Sequence, residues 1–238
     1  MPSVLITGAN RGLGFGLLKL YVNDGWRVYG CCRNPDNAVE LKALAEASNG
    51  TLTLHRADVE DDASIEALKE KLGGQPIDLL LIVAGYYGKT IMTDPGGFQE
   101  FGQSDYDDWA KILEINVLGP MKMAEALVDN VAASEKKQLV TLSSAIGSIG
   151  GNGIGKMYAY RSSKAAVNAV MKSMSIDLKE RGVTALPLHP GWVRTDMGGP
   201  QADLDSDTSV NGMKKVLDGL TPADAGRFLD YTGAELPW

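Results

Sequence analysis

Short apolar runs alternate with longer segments of helical period along this chain. Residues 3–7 (SVLIT) form a β-rich run that ends at glycines. From Gly14 to Asn23, the apolar positions Phe15, Leu17, Leu18, Tyr21 and Val22 recur as on a helix packed against a sheet. Residues 27–32 (RVYGCC) read as a second strand, and the Ala/Leu/Glu-rich 37–47 as a helix. Residues 51–56 (TLTLHR) alternate like a third strand, and 62–72 form a helix capped by Asp62 or Ser64. The nearly unbroken apolar run 77–84 (IDLLLIVA) predicts a strand covered on both faces.

Residues 85–103 are glycine-rich and irregular, followed by a long helical stretch over 105–133 that is interrupted near Gly119-Pro120. A fifth strand (139–143), a glycine loop (145–156), a long helix (157–181) and a sixth strand (183–188) come next. Residues 189–221 are mixed, with a helix over 209–217, and 227–231 read as a last strand. Repeated strand–helix–strand units imply parallel pairing through crossover helices. The expected fold is α/β: a single doubly wound domain over 1–238 with a mainly parallel sheet of about seven strands and a substrate loop or lid near 189–221.

Composition narrows the function. The 238 residues are enough to bury a core without covalent staples. With 23 Lys+Arg against 30 Asp+Glu, the net charge of −7 includes no basic stripe, which argues against nucleic acid. The two cysteines, Cys31 and Cys32, are adjacent, so a disulfide framework is excluded and a reducing compartment fits. His55 and His189 lie far apart, with no zinc-type spacing, so no metal site is expected. The start MPSVLITG lacks a signal-peptide pattern and no apolar run suits a bilayer span, which predicts a cytoplasmic protein with no membrane partner.

Three segments carry chemistry. After the first strand, Thr7-Gly8-Ala9-Asn10-Arg11-Gly12-Leu13-Gly14 leads into a helix. Glycines permit close backbone approach there, and free N–H groups with the helix dipole face an anion. The spacing is G-x-x-x-G-x-G, so a tight turn with close helix packing is the plain alternative. Second, Tyr160 and Lys164 lie four residues apart and share a helical face. A neighbouring ammonium favours the phenolate, so Tyr160 is expected to have a lowered pKa and to exchange a proton with a substrate oxygen. By itself this spacing is also that of an ordinary surface pair. Third, Ser143-Ser144 ends the fifth strand, where ligands gather in open α/β sheets. A nucleophile elbow around Ser144 is absent, which argues against a serine hydrolase.

Taken together and in order, TGANRGLG, Asp58, Ala84-Gly85, Asn116, Ser144, YRSSK and Pro190-Gly191 with Thr195 resemble the short-chain dehydrogenase/reductase family, over essentially the whole chain. Phrases such as CRNP, YRSSKAAVN and HPGWVRTDMGG resemble its C-factor/sniffer-like carbonyl-reductase branch. The resemblance implies a Rossmann fold and four catalytic residues: Asn116, Ser144, Tyr160 and Lys164. Tyr160 would be the acid/base, Lys164 would tune it and hold the nicotinamide ribose, Ser144 would polarise the carbonyl, and Asn116 would hold a relay water. It implies cofactor contacts from Gly8, Asn10, Arg11, Gly12, Leu13, Gly14, Arg33, Asp58, Val59, Ala84, Gly85, Tyr160, Lys164, Pro190, Gly191, Val193 and Thr195. One departure stands out: the family's usual Asn-Asn-Ala-Gly is Ile82-Val83-Ala84-Gly85 here.

The end of the second strand holds Cys32 and then Arg33, where an NAD site usually carries a carboxylate. Arg33, with Arg11 opposite, suits a 2′-phosphate, so NADP(H) is expected over NAD(H). Tyr86, Tyr87, Ile91, Met92, Phe98, Trp192 and Met197 should rim the cleft and suggest a hydrophobic or aromatic ketone or aldehyde, or the matching alcohol. Family members commonly form homodimers or homotetramers through two long helices, here around 105–133 and 157–181. The alternative function is a signalling or redox-sensing protein that binds the dinucleotide without efficient turnover.

Overall fold

A computed structural model describes residues 1–91, 94 and 99–238. Its sheet has seven parallel strands: β1 (Ser3–Thr7), β2 (Arg27–Cys32), β3 (Leu52–Arg56), β4 (Leu79–Ile82), β5 (Gln138–Leu142), β6 (Thr184–His189) and β7 (Leu229–Asp230), in the order β3-β2-β1-β4-β5-β6-β7. Helices α1 (Gly12–Asn23), α2 (Val39–Ala47) and α7 (Ser206–Gly219) cover one face. Helices α3 (Asp62–Leu72), α5 (Gly119–Ala132) and α6 (Tyr158–Asp177) cover the other, with α4 (Tyr106–Leu113) leading into α5.

The unbroken apolar runs follow from this double cover. On β1, Val4 and Ile6 face the α1/α7 layer while Leu5 faces α3/α5; on β4, Leu79 and Leu81 face the first layer and Leu80 and Ile82 the second. Each fully buried Leu or Ile contributes roughly 1.5–3 kcal/mol over an exposed one. Cys31 and Cys32 are buried free thiols on opposite faces of β2, which is why neighbours in sequence do not pair.

Several boundaries differ from the pattern-based expectation. Asp61 caps α3, accepting the Ser64 N–H, while the Ser64 hydroxyl receives the Asp58 N–H. Strand β4 is shorter than 77–84, because the Ile77 N–H goes to the Asn130 carbonyl and those of Val83 and Ala84 both go to the Thr7 hydroxyl. The break in 105–133 is a π-helical turn over Glu114–Leu118; Pro120 sits in the first turn of α5, where a missing N–H costs little. Helix α7 begins before residue 209, capped by the Asp205 carboxylate on the Thr208 N–H at 2.7 Å. It packs on α1 with Lys214 bonded to Asp24 and Asp218, so it belongs to the outer layer and the irregular part of 189–221 ends before it.

Candidate active site

The order of strands reverses between β1 and β4, and the crevice outside their carboxyl ends is where an open α/β sheet binds ligands. The glycine loop lies here. Gly8 has φ +65°, and a Cβ on it would stand 3.1 Å from the backbone of Ala84. A Cβ on Gly14 would run into the Gly8 carbonyl oxygen. The loop therefore folds back on the start of α1 at a distance only glycine allows. Arg11 is the N-cap residue, and its side chain makes no cap bond to the first-turn N–H groups. Asn10, Arg11 and Gly12 are exposed and Leu13 is half-buried.

Asn116, Lys164 and Tyr160 lie near one another beside the ends of β4 and β5, and Ser144 follows β5 by two residues. The π-helical turn turns Asn116 inward, where its amide oxygen accepts the Tyr86 N–H at 2.8 Å and its Nδ2 donates to the Tyr86 carbonyl at 2.8 Å and to Ser163 Oγ at 3.0 Å. A Cβ on Gly85 would lie 3.4 Å from Asn116 Oδ1 and 3.8 Å from Lys164 Nζ, so Gly85 leaves open the space between them. Lys164 Nζ donates to the Leu142 carbonyl at 3.0 Å and stands 5.6 Å from the Tyr160 ring centre. The two serines are distinct. Ser143 donates its hydroxyl to Asn168 Oδ1 inside the fold, whereas Ser144 Oγ accepts the Ile146 N–H at 3.3 Å and keeps its own proton to donate.

The electrostatics correct one expectation. The Tyr160 phenol is held well above its ordinary range by burial and, secondarily, by the adjacent Tyr87; it is not lowered. Lys164 is itself brought down to about 8 by burial. Tyr87, whose ring lies 4.8 Å from that of Tyr160, is pushed up to about 12 by burial.

Of the other sequence-predicted residues, Asp58 turns back to accept the Glu60 N–H, and Val59 packs its side chain against Gly119 of α5. Beyond β6, the Pro190 carbonyl accepts the Ser209 hydroxyl at 2.6 Å, tying this segment to α7. Gly191 has φ +86°, Val193 bridges Leu204, and Thr195 Oγ1 accepts the Gly198 N–H at 3.1 Å. Arg33 is exposed, with no ion-pair partner among the described residues. Arg11 pairs with Asp196 at 2.9 Å across the mouth of the cleft. Of the rim residues, Tyr87 abuts Tyr160, while Tyr86 turns its hydroxyl to Asp108 at 3.0 Å, against α4. Trp192 donates to the Gly198 carbonyl, and Ile91 and Met197 are half-buried. Met92 and Phe98 lie outside the described residues. Among the described residues no cluster of His, Cys, Asp or Glu could hold a metal ion, and no helix is long and apolar enough to cross a membrane.

The family model for short chain dehydrogenase matches residues 2–205. The chain belongs to the short-chain dehydrogenase family. This makes it an oxidoreductase. C-signal of Myxococcus xanthus is 42% identical over 163 residues, covering 68% of this chain and 93% of that protein. Among solved structures, the carbonyl reductase Sniffer of D. melanogaster superposes with a TM-score of 0.90 at 32% identity, each chain covered in full. An NADPH-bound carbonyl reductase from chicken fatty liver gives 0.88 at 32%, covering 100% of this chain and 94% of that one.

In this short-chain dehydrogenase the departure at Ile82-Val83 has a local answer. Ile82 is buried against the α3/α5 layer, Val83 packs toward the other, and one hydroxyl, Thr7 Oγ1, accepts the N–H groups of Val83 at 3.0 Å and Ala84 at 3.1 Å. Sequence reasoning missed this role of Thr7, the Asn116–Ser163 bond and the Arg11–Asp196 pair. Thr7, Arg11 and Ser163 all lie within recognised motifs, but a motif does not say which distant atom its members bond. The last two contacts join residues 47 and 185 positions apart, with no local signal.

Proposed function

We propose that this short-chain dehydrogenase is an NADP(H)-dependent carbonyl reductase that interconverts hydrophobic or aromatic ketones and aldehydes with their alcohols. What supports the reading is that Asn116 Oδ1 and Lys164 Nζ flank the space left open at Gly85, with Tyr160 beside Lys164 and Ser144 just after β5.

The residues present fit a dinucleotide. The loop of Gly8, Asn10, Gly12, Leu13 and Gly14, where a Cβ would crowd Ala84 at Gly8 and strike the Gly8 carbonyl at Gly14, would present first-turn amides of α1 to the pyrophosphate. Arg11 and Arg33 would hold the 2′-phosphate, and no carboxylate ends β2 to repel it. Asp58 and Val59 would border the adenine, Ala84 and Gly85 the ribose, and Pro190, Gly191, Val193 and Thr195 the nicotinamide. The 190–204 segment, between β6 and α7, is the part of the chain that would cover it. When bound, the nicotinamide supplies or accepts hydride.

The chain's own residues handle the oxygen. Burial keeps the Tyr160 phenol protonated, the form that donates to a carbonyl oxygen as it becomes an alkoxide. Ser144 donates a second hydrogen bond to that oxygen, a contribution of about 10²–10³ in kcat for a well-placed donor. Lys164, anchored on Leu142, keeps two donors for the ribose. Asn116 holds Tyr86, and with it Gly85, in place. Tyr87 packs an aromatic wall against Tyr160, which favours apolar substrates.

The test is Tyr160→Phe assayed with NADPH and NADH on a panel of aromatic ketones, aliphatic aldehydes and small charged keto acids. Turnover should fall by about 10²–10⁴ while NADPH binding, followed by nicotinamide fluorescence, is kept. Retained turnover removes Tyr160 from its role, equal use of NADH removes the cofactor assignment, and a preference for keto acids removes the substrate class. A second reading, favoured by the identity to C-signal, is a dinucleotide-binding signalling or redox-sensing protein. Tight NADPH binding with no turnover on the panel decides for it.

A further inference from the structure

Ser144 and Tyr160 arrive on different elements. Ser144 follows β5 and Tyr160 stands in the first turn of α6, so their spacing depends on the chain between them. That chain includes three successive residues with positive φ: Gly155 at 71°, Lys156 at 54° and Met157 at 53°. Side chains other than glycine rarely adopt this conformation, and a pair of them persists only where the surroundings enforce it. Its exposed stretch, 149–154, carries glycines at 150, 151 and 153.

Asn152 Oδ1 accepts the Ile154 and Gly155 N–H groups, Lys156 pairs with Glu100, and Arg161 is the side chain that reaches both ends of the segment. Its Nη1 donates to the Ile146 carbonyl at 2.8 Å, its Nη2 to the Gly155 carbonyl at 3.0 Å and its Nε to the Lys156 carbonyl at 3.3 Å. Ile146 belongs to the short turn Ala145–Gly147, and its own N–H is bonded to Ser144 Oγ. The same turn is pressed on α6, where a Cβ on Gly147 would stand 2.7 Å from the backbone of Lys164. Gly155 and Lys156 begin the left-handed turn that feeds Tyr158–Asp177. One half-buried guanidinium thus joins the serine's turn to the tyrosine's helix, one residue from Tyr160. Among the described residues no carboxylate pairs with it, so its donors serve the backbone alone.

We propose that Arg161 is a positioning residue: by clamping the two ends of the 145–157 segment it sets the distance between Ser144 and Tyr160 at which both reach one carbonyl oxygen. This rests on the carbonyl-reductase reading. The three carbonyls are bound by three different nitrogens of one planar fork, a geometry that the point charge of a lysine does not reproduce.

The test compares Arg161→Ala, Arg161→Lys and Tyr160→Phe in the full chain, with NADPH binding, kcat and KM, amide hydrogen exchange, and addition of non-denaturing guanidinium chloride. Arg161→Ala should lose about 100-fold in kcat, the scale of a misplacement near 1 Å, with NADPH affinity kept. Its amides in 147–157 should exchange faster than wild type while the rest of α6 stays protected. Arg161→Lys should be nearly as impaired. Guanidinium ion should restore activity to Arg161→Ala and none to Tyr160→Phe. A wild-type kcat in Arg161→Lys, or a defect in Arg161→Ala that guanidinium does not relieve, overturns the clamp; should Arg161→Ala not fold, Arg161→Lys decides alone through its kcat and exchange. An active Tyr160→Phe instead overturns the underlying reading, whatever the Arg161 variants do.

Discussion

Thr7 is the smallest lever on the centre of this molecule. Its hydroxyl oxygen accepts two consecutive N–H groups, from Val83 at 3.0 Å and Ala84 at 3.1 Å, where β4 has already left the ladder. Thr7 itself is buried, while Val83 and Ala84 are half-buried. Replacement by the nearly isosteric Val keeps the packing and removes both acceptor bonds. An unsatisfied buried donor costs about 1–3 kcal/mol. Both groups are only partly buried, so the two together come to about 2–4 kcal/mol. For a chain of this size that is a fall in Tm of about 5–15 °C. Thr7→Ser, which keeps the oxygen, is the control. Thermal unfolding of the three proteins at one pH, followed by circular dichroism, reads the difference. Because Gly85 and Tyr86 follow directly, Thr7→Val should also lower kcat more than Thr7→Ser does. A Thr7→Val protein that melts with Thr7→Ser would refute the reasoning, since the bonds would then carry no net stability and Ile82-Val83 would be held by packing alone.

Two further outcomes follow from charge. Asp196→Asn frees Arg11 from its exposed ion pair and should tighten NADPH binding about two- to fivefold at low salt, the worth of a surface pair, with the gain fading as salt is added. An equal gain for NADH, measured by the same fluorescence titration, would place Arg11 away from the 2′-phosphate. Burial lowers both His55 and His189 from 6.5 to about 4. Between those values the unfolded chain binds protons that the folded chain refuses, so stability is full above about pH 6.5 and is lost as pH falls towards 4. The loss is roughly 3 kcal/mol or less per histidine. Urea unfolding of His55→Gln/His189→Gln at pH 7 and pH 4.5 should show a smaller drop than wild type; an identical drop would assign the acid sensitivity to the carboxylates.

The double-wound α/β architecture was legible along the chain because a strand buried on both faces is apolar at successive central positions, not at alternate ones. The runs at 3–7 and 77–84 carry that mark, and the helices between them carry one apolar stripe each. The candidate site was legible wherever chemistry is local: the glycines that let a loop touch its own helix, the four-residue spacing of Tyr160 and Lys164, and the serines at the end of β5. Tertiary structure decided the rest. Which serine stays available depends on Asn168, 25 residues away, and the direction of the Tyr160 shift depends on how deeply it is buried and on Tyr87 beside it. The π-helical turn that brings Asn116 inward, the hydroxyl of Thr7 holding the Val83 and Ala84 N–H groups, and the Arg161 fork all join groups from separate elements. Periodicity reports which face of a segment is buried. Hydrogen bonds and desolvation depend on which atoms from distant segments share a volume, and only the folded chain sets that.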